Sequence, residues 1–166
     1  MDNQNLKFDF VFLGQSVLKY QVPLDIFTAI NQIYEQNYHN LNKANGQLVG
    51  KIENEHSLFY HGKDQSKMKN HNLLPRNVTD WFISIFQHYL AFNKIRDYDT
   101  HLNSIWVNEM KQHEYNPAHI HRGMLFTGLS SVMILKLPST FGKEYSAPGI
   151  EQNGRLQILG AANGQF

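Results

Sequence analysis

The fold prediction depends on one stretch of the chain, IWVNEMKQHEYNPAHIHRG, which spans residues 105–123. At its start, Ile105 and Val107 alternate with Trp106 and Asn108, which predicts a short strand. Because residues two apart lie on the same side of a strand, Trp106 and Asn108 share one face. We expect Trp106 to pack in the core, whereas the Asn108 amide either binds a ligand or meets a structural hydrogen-bond partner.

The end of the same stretch carries a His-x-His pair. His119 and His121 follow Pro117, and in an extended segment both imidazoles would face one space. Neutral imidazole binds iron, zinc, copper and nickel. Nine histidines in 166 residues also produce such a pair by chance. The spacing therefore leaves two hypotheses, a metal site and a pair of ordinary loop histidines.

The N-terminal half carries the patterns of two strands and two helices. Alternation over residues 8–12 and the run 17–22 predict strands. Apolar spacing from Leu24 predicts an amphipathic helix that ends before Asn45, and a second helix should begin near Pro75. The broad aromatic face of this second helix should belong to the core. Its members are Trp81, Phe82, Phe86 and Tyr89.

Short strand-like runs replace the helical period after residue 101. The polar stretch 59–72 is predicted to be a loop, and further strands are predicted over 128–137 and 155–159. The run 128–137 is too apolar on both faces for a solvated surface. Two helices followed by antiparallel strands predict an α+β fold, with the helices on one side of a β-sandwich or jelly roll.

The composition narrows the function classes. With 15 Lys and Arg against 14 Asp and Glu, the charge is too balanced to favour nucleic acid or an anionic membrane as a partner. The absence of cysteine excludes disulfides, thiolate zinc sites, iron–sulfur clusters and cysteine nucleophiles, so any metal must use His, Asp or Glu. Neither a signal peptide nor an apolar run of about 20 residues is found, which predicts a cytoplasmic protein.

The chain resembles the 2-oxoglutarate-Fe(II) oxygenases, and residues 105–138 carry the strongest part of the likeness. This block contains the family pattern of W-x-N, then N-P-x-H-x-H, then an apolar strand that ends in Pro138. More narrowly, it is similar to oxygenases often encoded by tailed phages, for which the location would be the host cytoplasm. The segments 18–23 and 47–55 and the helix that contains Trp81 also fit the pattern, so the resemblance covers most of the chain.

The resemblance implies the fold in more detail. The core would be a double-stranded β-helix, jelly-roll or cupin-like and here incomplete, with the two N-terminal helices packed on its sheet. A single domain would span 1–166. In it, residues 1–100 would form a helical support region with the N-terminal strands, and residues 101–166 would form the first strands of the core.

The resemblance also implies an activity and a site. The chain would be a hydroxylase-type oxygenase that uses Fe(II) and takes 2-oxoglutarate as a small-molecule co-substrate. His119 and His121 would be iron ligands. Asn108 and Arg122 would be the candidates for contact with the co-substrate, since an amide or a guanidinium can meet a carboxylate.

Two departures from the family pattern bear on this activity. His121 stands where the family usually has a carboxylate, which Glu109 or Glu114 would then have to supply. No histidine follows His121, and the later basic residues lie outside the family's late motif. We therefore expect a fragment that lacks the C-terminal part of the core, or a degenerate relative. The alternatives to an oxygenase are a non-catalytic cupin-like module that binds a metal or ligand, and a structural protein.

Overall fold

The computed structural model describes residues 6–12, 16–47, 50–61, 72–117, 119, 128–141, 154, 156 and 158. Its elements, in chain order, are β1 (Phe8–Phe12), β2 (Ser16–Tyr20), α1 (Leu24–Asn37), β3 (Asn42–Lys43), β4 (Asn54–Tyr60), α2 (Arg76–Phe92) and β5 (Ser104–Glu109). Short 3₁₀ helices cover Tyr38–Asn40 and Asn45–Gln47. Among these described residues no helix is long and apolar enough to cross a membrane.

Strands β1 and β2 confirm the two strands predicted at the start of the chain, and the structure pairs them antiparallel and packs them on α2. Phe8 lies opposite Tyr20 in the register. The Tyr20 hydroxyl lies 2.7 Å from His88 Nδ1, and the Phe8 ring meets the His88 ring edge-on at 4.8 Å. The Tyr89 hydroxyl donates to the Ser16 carbonyl at 2.9 Å. Side chains on one flank of α2 therefore hold this hairpin in place.

Both predicted helices are present, and their buried faces follow the apolar spacing. In α1 the buried side chains are Ile26, Ile30 and Tyr34, each one turn apart. The helix ends at Asn37 rather than continuing towards Asn45. There the Asn37 side-chain amide donates to the Ile33 carbonyl at 2.8 Å, which satisfies a carbonyl of the last turn while the chain passes into a 3₁₀ helix.

Helix α2 begins directly after Pro75, where proline suits a helix start. The predicted aromatic core face of this helix is confirmed for three of its four members, Trp81, Phe82 and Phe86. Trp81 and Phe82 are buried together with Val78 and Ile85, and Phe86 packs against the same cluster. Tyr89 is half-buried and hydrogen-bonded to the hairpin rather than fully enclosed.

The second sheet has the order β3-β4-β5, with β4 in the centre. Asn42 of β3 pairs with Ser57, and Trp106 of β5 pairs with the same residue from the other side. The register shifts between Ser57 and Phe59, so that Leu58 and Phe59 both contact the core. Strand β4 corrects the sequence prediction, because Phe59 and Tyr60 belong to a strand and not to a loop.

The core lies between the two helices and one face of β4 and β5. Leu58 and Val78 are completely buried, and Ile105 and Val107 pack against the same cluster. The predicted α+β fold with two helices packed on a sheet is therefore confirmed at this level. The described residues form two small antiparallel sheets, and no closed barrel or jelly roll is found among them.

Residues 128–141 contain no strand, contrary to the prediction for 128–137. Met133 and Leu135 pack against the core, whereas Val132 and Ile134 are 62% and 52% exposed. The prediction that both faces are buried is wrong because the described structure places no neighbouring strand on either side of this segment. Of the predicted strand 155–159, only residues 156 and 158 are described, and both are exposed.

A matched pair of leucine substitutions tests the position of the core. Leu58→Ala should lower the free energy of unfolding by about 2–5 kcal/mol, because the side chain is completely buried. Leu24→Ala should change it by no more than about 0.5 kcal/mol, because Leu24 is 78% exposed. Urea unfolding followed by circular dichroism measures both. Equal effects of the two substitutions would contradict the proposed core.

Candidate functional site

His119 is exposed and lies just after the turn that follows β5. Its Nδ1 is 2.7 Å from the Pro117 carbonyl oxygen. A carbonyl oxygen can only accept, so Nδ1 is the donor, and in the neutral ring with this tautomer the lone pair is on Nε2. This arrangement is the usual one for a metal-binding imidazole, whose second nitrogen is held by a hydrogen bond. His121 and Arg122 lie outside the described residues.

The segment that leads to His119 is fixed against the residues before β4. Lys51 and Tyr115 exchange two backbone hydrogen bonds, of 2.8 and 3.1 Å. Gly50 lies directly beside them, and a Cβ at this position would be 2.9 Å from Asn116 Cα and Pro117 Cδ and in conflict with the Tyr115 carbonyl. The close approach requires glycine here, so Gly50 helps to position the chain just before the histidine pair.

The two carboxylates considered as further metal ligands are both engaged elsewhere. Glu114 accepts hydrogen bonds from the backbone N–H groups of Lys111 at 2.7 Å and Glu53 at 3.0 Å, and these bonds lower the pKa of its carboxyl. Glu109 accepts from the Tyr38 hydroxyl at 3.2 Å and from the Asn54 amide at 3.1 Å. Both carboxylates therefore act in the described structure as anchors for nearby chain segments.

The donor set that the structure describes fits an iron site only in part. His119 has a suitable donor geometry, as shown above. No group of three or more His, Asp or Glu side chains that could hold a metal ion occurs among the described residues. A complete site would need His121 and a further ligand in addition to His119.

Strand β5 places Trp106 and Asn108 on the face that points away from the helices. Ile105 and Val107 take the core positions instead. Trp106 is 37% exposed, so the expectation that it packs in the core is wrong. The alternation of the strand was predicted correctly, but the expectation for Trp106 followed the usual burial of tryptophan, whereas the face with two aliphatic side chains, Ile105 and Val107, is the buried one. Asn108 is exposed and lies directly opposite Glu55 of β4.

Glu55 is the residue that sequence reasoning missed. This residue is only 6% exposed, and its Oε2 is buried with no hydrogen-bond partner among the residues that the structure describes. Burial raises the pKa of this carboxyl above its usual range. The polar run Glu53-Asn54-Glu55-His56 gives no sign of burial, because charged residues in such a run are usually solvated. The burial of Glu55 becomes visible only from the position of β4 in the centre of the sheet.

The opposite face of β4 carries a second buried polar side chain, that of His56, and this one has a hydrogen-bond partner. His56 is 4% exposed and lies 3.3 Å from the Tyr34 hydroxyl through its Nδ1. The Tyr38 ring packs edge-on against it at 5.0 Å. Burial lowers the pKa of His56, Lys43 lowers it further, and Glu109 partly opposes both effects. Burial beneath α1 therefore favours the neutral form of His56.

Comparison of the chain with protein-family models, with curated proteins and with solved structures gives no match.

The buried His56 should make stability depend on pH. The folded protein favours the neutral imidazole because the pKa of His56 is lowered, whereas the unfolded chain protonates it near its usual pKa of about 6.5. The free energy of unfolding should therefore fall as the pH is lowered from about 7 to about 5.5. Urea unfolding at several pH values measures the slope, which should be smaller in His56→Gln. The exposed His113→Gln should keep the wild-type slope, and an unchanged slope in His56→Gln would refute this role.

Proposed function

We propose that the chain is an oxygenase of the 2-oxoglutarate-Fe(II) type, with His119 and His121 as iron ligands. The observation that carries the proposal is the hydrogen bond from His119 Nδ1 to the Pro117 carbonyl at 2.7 Å, which presents Nε2 as the metal-binding nitrogen. The resemblance of residues 105–138 to this family supports it, as does the strand β5 that precedes the histidine pair.

Each residue has a defined part in this proposal. Bound iron would supply the oxidation of a substrate by dioxygen, coupled to conversion of 2-oxoglutarate into succinate and carbon dioxide. The Pro117 carbonyl fixes the His119 ring, and the Lys51–Tyr115 backbone pair fixes the segment that carries it. Arg122 is the proposed partner of a co-substrate carboxylate, since guanidinium binds carboxylate through two parallel hydrogen bonds. Asn108 is the other proposed co-substrate contact.

A second candidate is a non-catalytic module that binds a metal through the histidine pair. One observation favours it: Glu109 and Glu114, the nearby carboxylates, are both occupied by hydrogen bonds within the fold. A metal site with histidine ligands and no carboxylate carries one more positive charge than a site in which a carboxylate is also a ligand. Such a site would bind metal without supporting turnover.

Metal titration tests the histidine ligands directly. Anaerobic calorimetry with Mn(II), which substitutes for Fe(II), should show one binding site in the wild-type protein. His119→Ala combined with His121→Ala should weaken binding at least about tenfold, because two nitrogen ligands are removed. The matched control replaces His101 and His113, two exposed histidines outside the proposed site, and should bind as the wild type does. Equal Mn(II) binding by the wild type and the first double variant would exclude the site.

Succinate production separates the two candidate functions. With Fe(II), 2-oxoglutarate, ascorbate and oxygen, an oxygenase converts 2-oxoglutarate into succinate, often slowly even without its substrate. Metal binding through His119 and His121 with no succinate above the level of the double variant would favour the non-catalytic module.

A further inference from the structure

The sheet face of β4 and β5 that points away from the helices, here called the outer face, carries an unusual set of side chains. Glu55 lies opposite Asn108, and Ser57 lies opposite Trp106. Side chains directly opposite in an antiparallel pair are about 5 Å apart, and diagonal neighbours are about 7–8 Å apart. A carboxyl, a hydroxyl, an amide and an indole ring therefore share a patch the size of a small ligand.

Glu55 distinguishes the outer face from an ordinary sheet surface. Glu55 is only 6% exposed, so more than nine-tenths of the residue is buried. Its Oε2 is buried and makes no hydrogen bond with any residue in the part of the chain that the structure describes. Buried polar groups in folded proteins nearly always have a partner, and charged ones most of all. An unpaired buried carboxyl is thus a group that a ligand would complete.

Neighbouring residues show where such a ligand would enter. Asn108 is exposed, and its side-chain amide also lacks a partner among the described residues. Trp106 is 37% exposed on the same strand. Both belong to β5, so the exposed side of the patch lies at β5, whereas Glu55 and Ser57 of the central strand β4 are buried.

We propose that the outer face binds an organic cation that carries N–H donors, an ammonium or guanidinium group, with Glu55 as its counter-ion. The Asn108 side-chain oxygen accepts a second hydrogen bond from the same group. The Trp106 ring, diagonal to Glu55, adds the attraction of an aromatic face for a cation. Four features of the patch, its charge, its acceptors, its ring and its size, therefore agree on one ligand chemistry.

The charge balance favours an organic cation over a metal ion at this position. Among the described residues the outer face offers a single carboxylate, which neutralises a single positive charge. A divalent ion would require further anionic or imidazole ligands, and no group of three such side chains is found among the described residues. The proposed cation site needs neither His119 nor His121. It shares Asn108 with the proposed oxygenase, where this residue is a candidate contact for the co-substrate, so the amide would serve one ligand at a time.

Nuclear magnetic resonance of the ¹⁵N-labelled full chain tests the site. The probes are n-butylammonium chloride and n-propylguanidinium chloride, with sodium butyrate at the same ionic strength as the anionic control. The cations should shift the Asn108 side-chain amide and the Trp106 indole N–H resonances in a saturable manner, and butyrate should not. An acetylated and amidated Gly-Lys-Gly peptide provides a further arm. Tighter binding of the peptide than of butylammonium would identify a protein side chain as the source of the cation, and the reverse would identify a small molecule.

Two isosteric substitutions provide the matched comparison. Glu55→Gln should weaken binding of the cations about 10- to 100-fold, because it removes a charged hydrogen-bond acceptor. Glu53→Gln alters an exposed carboxyl two residues away and should bind as the wild type does. Equal binding by Glu55→Gln and the wild type, or the absence of any saturable shift with both cations, would overturn the proposal.

Stability without ligand gives an independent readout on the same variants. Because burial raises the pKa of Glu55, its ionised form destabilises the folded protein at a pH above that pKa. Glu55→Gln should therefore unfold at a higher temperature than the wild type at pH 8, whereas Glu53→Gln should not differ. A lower melting temperature in Glu55→Gln would show that the carboxyl already has a stabilising partner, which contradicts the proposed site.

Discussion

Hydrogen bonding of β4 on both of its edges is the constraint on which the rest of the described structure depends. On one edge it pairs with β3, and the Ala44 N–H donates to the Glu55 carbonyl at 2.9 Å. On the other edge it pairs with β5. At the register shift between Ser57 and Phe59, the Leu73 N–H donates to the Leu58 carbonyl at 3.1 Å. A strand held in this way can bury polar side chains, because its own backbone groups are already satisfied.

The buried polar residues on the two faces of β4 differ in whether they have hydrogen-bond partners. Towards the helices, His56 and Glu109 meet Tyr34, Tyr38 and Asn54 in a network whose members have partners. On the outer face, Glu55 is buried to a similar extent and has none among the described residues. A satisfied network contributes a specific packing arrangement, whereas an unpaired carboxyl lowers stability unless something binds it. This asymmetry is why we assign a structural role to the first face and a binding role to the second.

The sequence predicted those elements whose burial is one-sided. Helix α2 and the strand β5 follow regular apolar spacing, so their existence and approximate positions could be predicted. Strand β4 could not, because Glu55, His56 and Ser57 are polar and are buried only through tertiary contacts. The apolar run 128–137 was wrongly predicted to be a buried strand, since hydrophobic composition alone does not show that neighbouring strands exist. The motif pointed to the His119 segment as a candidate metal site, which stays a prediction, whereas its anchoring through Gly50 and Lys51 depends on contacts between distant parts of the chain.

Amide hydrogen exchange tests the central role of β4 most directly. Amides that are released only by global unfolding exchange most slowly, and they mark the part of a structure on which the rest depends. If β4 organises the fold, the amides of residues 55–58 should exchange at the rate set by global unfolding and at least as slowly as those of α2. Exchange in β4 that is clearly faster than in α2 would show that the helices form a stable unit without the strand, and would contradict this account.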